Sequence, residues 1–109
     1  MVKLIIKNTK EINKELESEL KELCEEKLEY YSELFKNYDK DLKLEVIFNK
    51  TSSVYKVSVS LNLKSKKLLL AKEGEDIIKL TNSLFSDFKK MAKRQYELEK
   101  KEYEYKRKR

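Results

Sequence analysis

The residue types that most often carry chemistry in proteins are scarce in this chain. Histidine, the commonest general base and metal ligand near neutral pH, is absent from all 109 residues. Cys24 is the single cysteine, so no internal disulfide can form, and no histidine is present to activate it as a nucleophile. The sequence has no glycine-rich phosphate loop and no metal-ligand spacing. We therefore expect no catalytic residue, metal, cofactor or small-molecule substrate, and we interpret Cys24 as a small core residue.

Charge is the chemistry that this sequence does supply, and it is unevenly distributed. Residues 1–88 contain 16 basic and 16 acidic side chains, whereas residues 89–109 contain ten basic and four acidic ones, which account for the whole net charge of +6. Within the neutral part, residues 14–36 hold four lysines against eight glutamates, and residues 40–72 hold eight lysines against two acids. Such separated charges orient a protein in the field of a polyanion.

The basic C-terminal residues favour RNA over a lipid surface as the partner. Residues 106–109 are four consecutive cations, but no apolar helix face and no lipidation motif accompanies them. No run of about 18 apolar residues and no secretory signal occurs, so we expect no membrane partner and a cytoplasmic location. Tyr96, Tyr103 and Tyr105 alternate with cations. They either stack on unpaired bases or belong to a solvated helix end, and the sequence leaves both interpretations open.

Hydrophobic periodicity predicts the elements that position these charges. Two-residue alternation predicts four strands, the fourth the weakest, over residues 2–7, 42–48, 55–64 and 67–72. Apolar residues that recur every three or four positions predict a helix over residues 14–36, capped by Asn13. The same spacing predicts a second helix that begins after Asp76, and its apolar stripe fades after Met91. Gly74 is expected to end the fourth strand.

This element order predicts one α+β domain: a single four-stranded sheet in β-α-β-β-β-α order, with both helices on one face and the second helix extended at the C-terminus. On the open face, the alternation places six lysines and only one glutamate, Glu45. These lysines are Lys3, Lys7, Lys43, Lys56, Lys64 and Lys67. The sequence leaves two interpretations open. The lysines either form a basic surface for RNA or protect the exposed strands from pairing with other chains.

A stretch from the third strand through the second helix carries a family resemblance. Its residues are Leu61-Asn62-Leu63, Leu68, Glu73-x-Glu75-Asp76, Leu84, Phe88, Lys90 and Arg94, with Glu25-Glu26-Lys27-Leu28 and Leu34-Phe35 in the first helix. Together with the element order, they resemble the ribosome hibernation-promoting factors, also called the ribosome-associated inhibitor or sigma-54 modulation family. The resemblance covers residues 1–96 and leaves residues 97–109 as a basic C-terminal extension, helical or disordered. The linker and second domain of long family members have no counterpart in this sequence, so the resemblance is to the short form.

The resemblance implies a stress or stationary-phase factor that binds the rRNA and proteins of the small ribosomal subunit. It would lie in the mRNA and tRNA channel near the decoding centre and block translation by occupancy, without chemistry. The implied phosphate contacts include Lys90 and Arg94. The chain departs from the family at Asp87, Met91 and Ile78, where Lys, Gln and Tyr are usual, and neighbouring lysines restore the charge. The resulting candidate RNA-binding residues are Lys56, Lys89, Lys90, Lys93, Arg94, Lys100 and Lys101.

Two other functions are compatible with the sequence. One is a different RNA-binding α+β module that reads duplex shape, as double-stranded-RNA-binding domains do. The other is a small protein-interaction domain whose acidic first helix is the working surface and whose basic tail only increases solubility. Co-sedimentation with ribosomes separates the hibernation factor from both.

Overall fold

The chain folds into four strands and two helices in the predicted order. The structure, a computed structural model, describes the backbone of residues 1–107 and the side chains of residues 1–101. The elements are β1 (Val2–Lys7), α1 (Lys14–Leu34), β2 (Leu42–Thr51), β3 (Val54–Asn62), β4 (Lys67–Gly74) and α2 (Ile77–Arg107). The predicted α+β class with an extended second helix is therefore confirmed.

The four strands form one mixed sheet in the order β1-β2-β3-β4. β1 pairs in parallel with β2, and β3 and β4 each pair antiparallel with the strand before them. A parallel pair needs a long crossover connection, which α1 provides. The register places Val46 opposite Val59, and Leu61 opposite Leu68, so the buried side chains of neighbouring strands share one face.

Both helices cover this apolar face of the sheet. From α1 the core receives Leu20, Cys24 and Tyr31, all almost fully buried. α2 lies over β3 and β4 and also contacts α1, where Phe85 packs against Tyr31, so it buries a wider stripe than the sequence predicts. Its buried residues are Ile77, Leu80, Thr81, Leu84, Phe85, Phe88 and Ala92.

Local capping fixes where each helix begins. The Asn13 side chain accepts a hydrogen bond from the Leu16 backbone N–H at 2.9 Å, which confirms the predicted cap of α1. The Asp76 side chain accepts a bond from the Lys79 N–H at 3.2 Å and caps α2 in the same way. Each cap satisfies one backbone donor that the first helical turn leaves unpaired.

The ends of β2, β3 and β4 differ from the sequence prediction by a few residues, and β3 ends at Asn62 instead of residue 64. β2 continues to Thr51, because a two-residue turn at Ser52 and Ser53, with Ser52 at a φ of 61°, joins it directly to β3. β4 continues two residues past the predicted Lys72 to Gly74, which pairs with Tyr55 and ends the strand as predicted. A Cβ at position 74 would lie 3.4 Å from the Leu80 side chain, so the close approach of α2 to the strand explains the glycine.

The buried position of Cys24 gives a first testable result. Burial raises the pKa of the Cys24 thiol to about 12 from the ordinary value of 9.0, which lowers its thiolate fraction at pH 8 about a thousandfold. We expect almost no reaction of the folded protein with a thiol reagent at pH 8, and complete reaction in denaturant. A Ser86→Cys variant in a Cys24→Ser background, with its new thiol on the exposed side of α2, is the fast-reacting control. Equal rates for the two thiols would show that Cys24 is accessible.

Candidate nucleic-acid interface

The most basic surface of the described residues lies on the C-terminal half of α2. Lys89, Lys90, Lys93, Arg94, Lys100 and Lys101 are all exposed there. Glu97 is the one acidic side chain exposed among them within residues 89–101. None of the six cations has an acidic partner within 4.0 Å among the side chains of residues 1–101. Their charges are therefore available to an external anion.

The six cations divide between the two flanks of α2, as the rotation of an α-helix requires. Lys90, Arg94 and Lys101 follow one another at steps of four and seven residues, so they lie on one flank. That flank adjoins β4, since Asp87, three residues before Lys90, pairs with Lys72 of β4 at 2.6 Å.

The remaining cations, Lys89, Lys93 and Lys100, lie on the flank towards α1. The Lys89 Nζ is 4.4 Å from the centroid of the Tyr30 ring of α1. The Lys100 Nζ is 4.5 Å from the ring of Tyr96 in α2 itself. Such cation-π contacts hold a lysine in place without neutralising its charge. The two flanks together present cations around the outer half of the helix.

A polar network holds this half of α2 against the body of the protein. Glu99 accepts hydrogen bonds from the Tyr38 hydroxyl and the Ser65 hydroxyl, each at 2.5 Å, and Gln95 donates to the Ser65 hydroxyl at 2.9 Å. The Tyr38 hydroxyl also accepts from the Lys64 N–H at 2.9 Å. The network ties α2 to the α1–β2 loop and to the β3–β4 turn, so α2 is anchored as far as Glu99.

Sequence reasoning missed this anchor because the residues that form it are polar. Gln95 and Glu99 continue the step of four residues from Met91, but an apolar stripe ends where polar side chains take over the inward positions. Tyr96 also faces the body, with its ring centroid 4.9 Å from Phe35 and 5.5 Å from Tyr38. Its ring is therefore engaged in packing and is not free to stack on a base.

Loss of the Glu99 carboxylate is expected to destabilise the fold. Hydrogen bonds to a charged group contribute about 1.5 to 3 kcal/mol, so we expect Glu99→Ala to lower the free energy of unfolding by about 2 kcal/mol. The exposed Glu97, two residues earlier on the same helix, gives the matched control Glu97→Ala, with a change of about 0.5 kcal/mol or less. Urea unfolding followed by circular dichroism measures both. Similar values for the two variants would mean that the network does not anchor α2.

The same network predicts a limit at alkaline pH. Burial, reinforced by the hydrogen bond to Glu99, raises the pKa of Tyr38 to about 12 from 10.0. A pKa raised in the folded state means that the protonated hydroxyl stabilises the fold fully below pH 10 and that this contribution is lost as the pH rises towards 12. The alkaline loss of stability should therefore be smaller in Tyr38→Phe than in the parent protein.

The structure does not bring Lys56 together with the α2 cations. Lys56 lies near the start of β3, opposite Glu73 of β4, on the face of the sheet away from both helices. The anchored basic half of α2 ends beside Ser65, at the other end of β4. The candidate residues therefore form one group of six on α2 and one separate position on the open face.

The open face itself is less basic than the alternation predicts. The ammonium of Lys64 pairs with Asp39 and lies 5.5 Å from the centre of the Tyr38 ring, beyond the end of β3, so placing Lys64 on this face was wrong. Lys7 pairs with Glu45 at 2.9 Å, and this bond lowers the pKa of the Glu45 carboxyl. Apolar side chains also contribute to this face, among them Ile5, Ile47, Leu69 and Ala71.

Two of the departures from the family pattern have a structural explanation. Asp87 pairs with Lys72, which also donates to the Ser83 hydroxyl at 2.7 Å, so the acid ties α2 to β4. The Lys72 contact lowers the pKa of the Asp87 carboxyl. Met91 packs partly buried against the core. Asp87 and Met91 are thus engaged in contacts with the rest of the protein.

The acidic charge is concentrated on the outer side of α1. Six glutamates, exposed and spaced alternately by four and three residues, follow one stripe: Glu15, Glu19, Glu22, Glu26, Glu29 and Glu33. Tyr30, which contacts Lys89, lies near the C-terminal end of α1, so the basic half of α2 begins where this stripe is ending. Positive and negative charges are thus separated along the molecule, as the sequence predicts.

Comparisons with protein-family models and with curated proteins found no match for this chain. Within the described residues, no three acidic or cysteine side chains converge as metal ligands would. Neither helix has, over its described length, an apolar stretch that could cross a bilayer. The function must therefore be argued from the charged surface and its geometry.

Proposed function

We propose that this protein is a ribosome hibernation factor that binds the small ribosomal subunit through RNA phosphates and blocks translation by occupying the mRNA and tRNA channel. The observation that carries the proposal is the set of six exposed cations on the C-terminal half of α2, four of which precede Glu99 on turns that are anchored to the body. The resemblance in element order and in the residues from β3 through α2 selects the ribosome among RNA partners.

Anchoring makes these cations effective ligands for phosphates. A lysine on a helix that is already fixed to the core loses less conformational entropy on binding than one on a mobile segment. Lys90 lies between the buried Phe88 and Ala92, and Arg94 lies between Ala92 and the Glu99 network. Arginine can also hold a phosphate with two parallel N–H bonds, which fixes the orientation of the bound protein.

The acidic side of α1 suits a site bounded by RNA on one side only. The glutamate stripe would be repelled by phosphates, so the protein binds with α1 away from the RNA and with the C-terminal half of α2 towards it. Such an orientation gives one defined pose in a channel lined with rRNA. Blocking by occupancy needs no reactive group, so the proposal does not require the histidine that the sequence lacks.

A second candidate function is favoured by the glutamate stripe itself. In this alternative, the stripe on α1 binds a basic protein, and the α2 cations serve only solubility. Among the six glutamates, Glu33 alone has an ion pair within the described residues, to Lys36 at 3.0 Å, so the stripe is open to a cationic partner. A ribosomal protein could satisfy this alternative as well, so the discriminating contact is the one with RNA.

Co-sedimentation in a sucrose gradient tests the proposal. We expect the protein to migrate with ribosomes at low salt and to inhibit translation in vitro at stoichiometric amounts. A duplex RNA of equal length serves as the comparison, because a module that reads duplex shape would bind it as well as it binds ribosomes. Protein that remains at the top of the gradient, or that binds free duplex equally well, would contradict the proposal.

A further inference from the structure

The free edge of β4 has the features of a strand-pairing surface. β4 is an outer strand of the sheet, so one side of its backbone lacks a strand partner within the described chain. Residues 68–71 are a continuous apolar run between two lysines, and Leu69 is 59% exposed. Long apolar edge strands without a charge or proline in their centre are templates for pairing with another chain.

A second exposed leucine lies on the same side of the molecule. Leu98 of α2 is 45% exposed and follows Arg94 by four residues, so it lies on the helix flank that adjoins β4. Apart from Met1 and Val54, Leu69 and Leu98 are the exposed large apolar side chains of the described residues. The β4 edge is thus apolar along the strand, and Leu98 adds one exposed apolar side chain to a helix flank that also carries Lys90 and Arg94.

We propose that two copies of this chain pair antiparallel through their β4 edges, with Leu70 at the two-fold axis. In an antiparallel pair, opposed residues share a face, so only registers that match like faces are allowed. The register centred on Leu70 opposes the two Leu70 residues on the helix side and places Leu69 of each copy against Ala71 of the other. It also places Lys67 of each copy directly opposite Glu73 of the other.

This register pairs the two charges that β4 carries on the open face of the sheet, Lys67 and Glu73, while Lys72 on the helix side faces Leu68. Opposite charges that face each other across strands stabilise the pair, and like charges weaken it. The other edge strand, β1, contains no acidic residue, and an antiparallel self-pair centred on Ile5 would oppose Lys3 to Lys7. The charges of the two edges therefore favour β4 as the pairing edge.

The positions of the two α2 helices are compatible with such a pair. α2 lies over β3 and β4, so its axis is about one strand spacing, roughly 5 Å, from the two-fold axis. The two α2 helices would then run antiparallel about 10 Å apart, which is the distance at which helices pack. Leu98 lies on the flank that meets the partner helix, together with Lys90 and Arg94. The sheet becomes one of eight strands.

Charge exchange at the paired positions tests this arrangement with the full chain. Lys67→Glu opposes two glutamates at each end of the pair, and Glu73→Lys opposes two lysines. We expect each variant alone to raise the dimer dissociation constant about tenfold or more, since two pairs change sign. A mixture of the two variants restores both attractions, because each copy then meets a partner of opposite charge, and so does the double variant Lys67→Glu with Glu73→Lys.

Sedimentation equilibrium over a wide concentration range provides the readout, with Lys3→Glu on the β1 edge as a control that leaves the dimer unchanged. Circular dichroism checks that each variant is folded. A parent protein that stays monomeric up to millimolar concentration would overturn the proposal, and so would single variants that dimerise as well as the parent. Neither Lys67 nor Glu73 is a proposed phosphate contact, so the charge exchange tests the pairing separately from ribosome binding. The dimer would cover the α2 flank that carries Lys90 and Arg94, so we expect only the monomer to bind ribosomes through that flank.

Discussion

Replacement of Lys90 and Arg94 by glutamate is expected to abolish ribosome binding and translation inhibition. Each lost phosphate contact reduces the affinity about tenfold near 0.1 M salt, so the loss of two contacts costs about a hundredfold before the added repulsion is counted. Both side chains are exposed and lack an acidic partner within residues 1–101, so the fold should be unaffected. Co-sedimentation and translation in vitro measure the effect, and circular dichroism measures folding.

A matched control reverses the same number of charges elsewhere. Lys14 is the first residue of α1 and Lys10 lies in the loop before it; both are exposed, at the end of the molecule remote from residues 89–101. Lys10→Glu with Lys14→Glu should weaken binding only slightly through the altered net charge. An equal loss of binding in both double variants would show that the total charge matters and that the α2 surface does not.

Truncation after Lys100 separates the anchored turns from the C-terminal residues. It removes five basic and two acidic residues, including the candidate Lys101. The turns before it are fixed to the body by Glu99, so we expect weaker binding with inhibition retained. If the truncation abolished inhibition and the double charge reversal did not, residues 101–109 would carry the function and the assignment to the anchored α2 cations would be wrong.

Salt is expected to have the second large effect. If about five phosphates are neutralised, the logarithm of the binding constant falls with the logarithm of the salt concentration at a slope of roughly −3 to −5. Between about 50 and 200 mM salt, this slope corresponds to a loss of affinity of about a hundredfold to a thousandfold. The double reversal of Lys90 and Arg94 should also make the slope less steep by about two. A binding constant that does not depend on salt would favour an apolar protein contact.

The fold could be predicted from the sequence because its signals are local. The alternation in the strands and the helical steps around Leu20 and Leu84 follow directly from which side chains face the core. The Asn13 cap is a short-range signal of the same kind. Burial of Phe85 was not predicted, because it depends on a tertiary contact with Tyr31 of α1, 54 positions away.

The candidate site could be predicted only in part, because its geometry depends on contacts between distant residues. The basic residues of α2 are visible in the sequence, but the anchor that fixes them joins Glu99 to Tyr38, 61 positions away. Alternation placed Lys64 on the open face by extending β3 beyond its end at Asn62, where the chain turns towards Asp39. Strand parity therefore assigns a face only as far as the strand itself continues.

Competition for the small ribosomal subunit tests the central claim most directly. Fluorescently labelled protein is titrated with isolated small subunits, with isolated large subunits, and with small subunits already loaded with mRNA and tRNA. The proposed function predicts tight binding to empty small subunits, weak binding to large subunits, and exclusion from loaded small subunits. Equal binding to empty and loaded small subunits, or no preference for the small subunit, would contradict it.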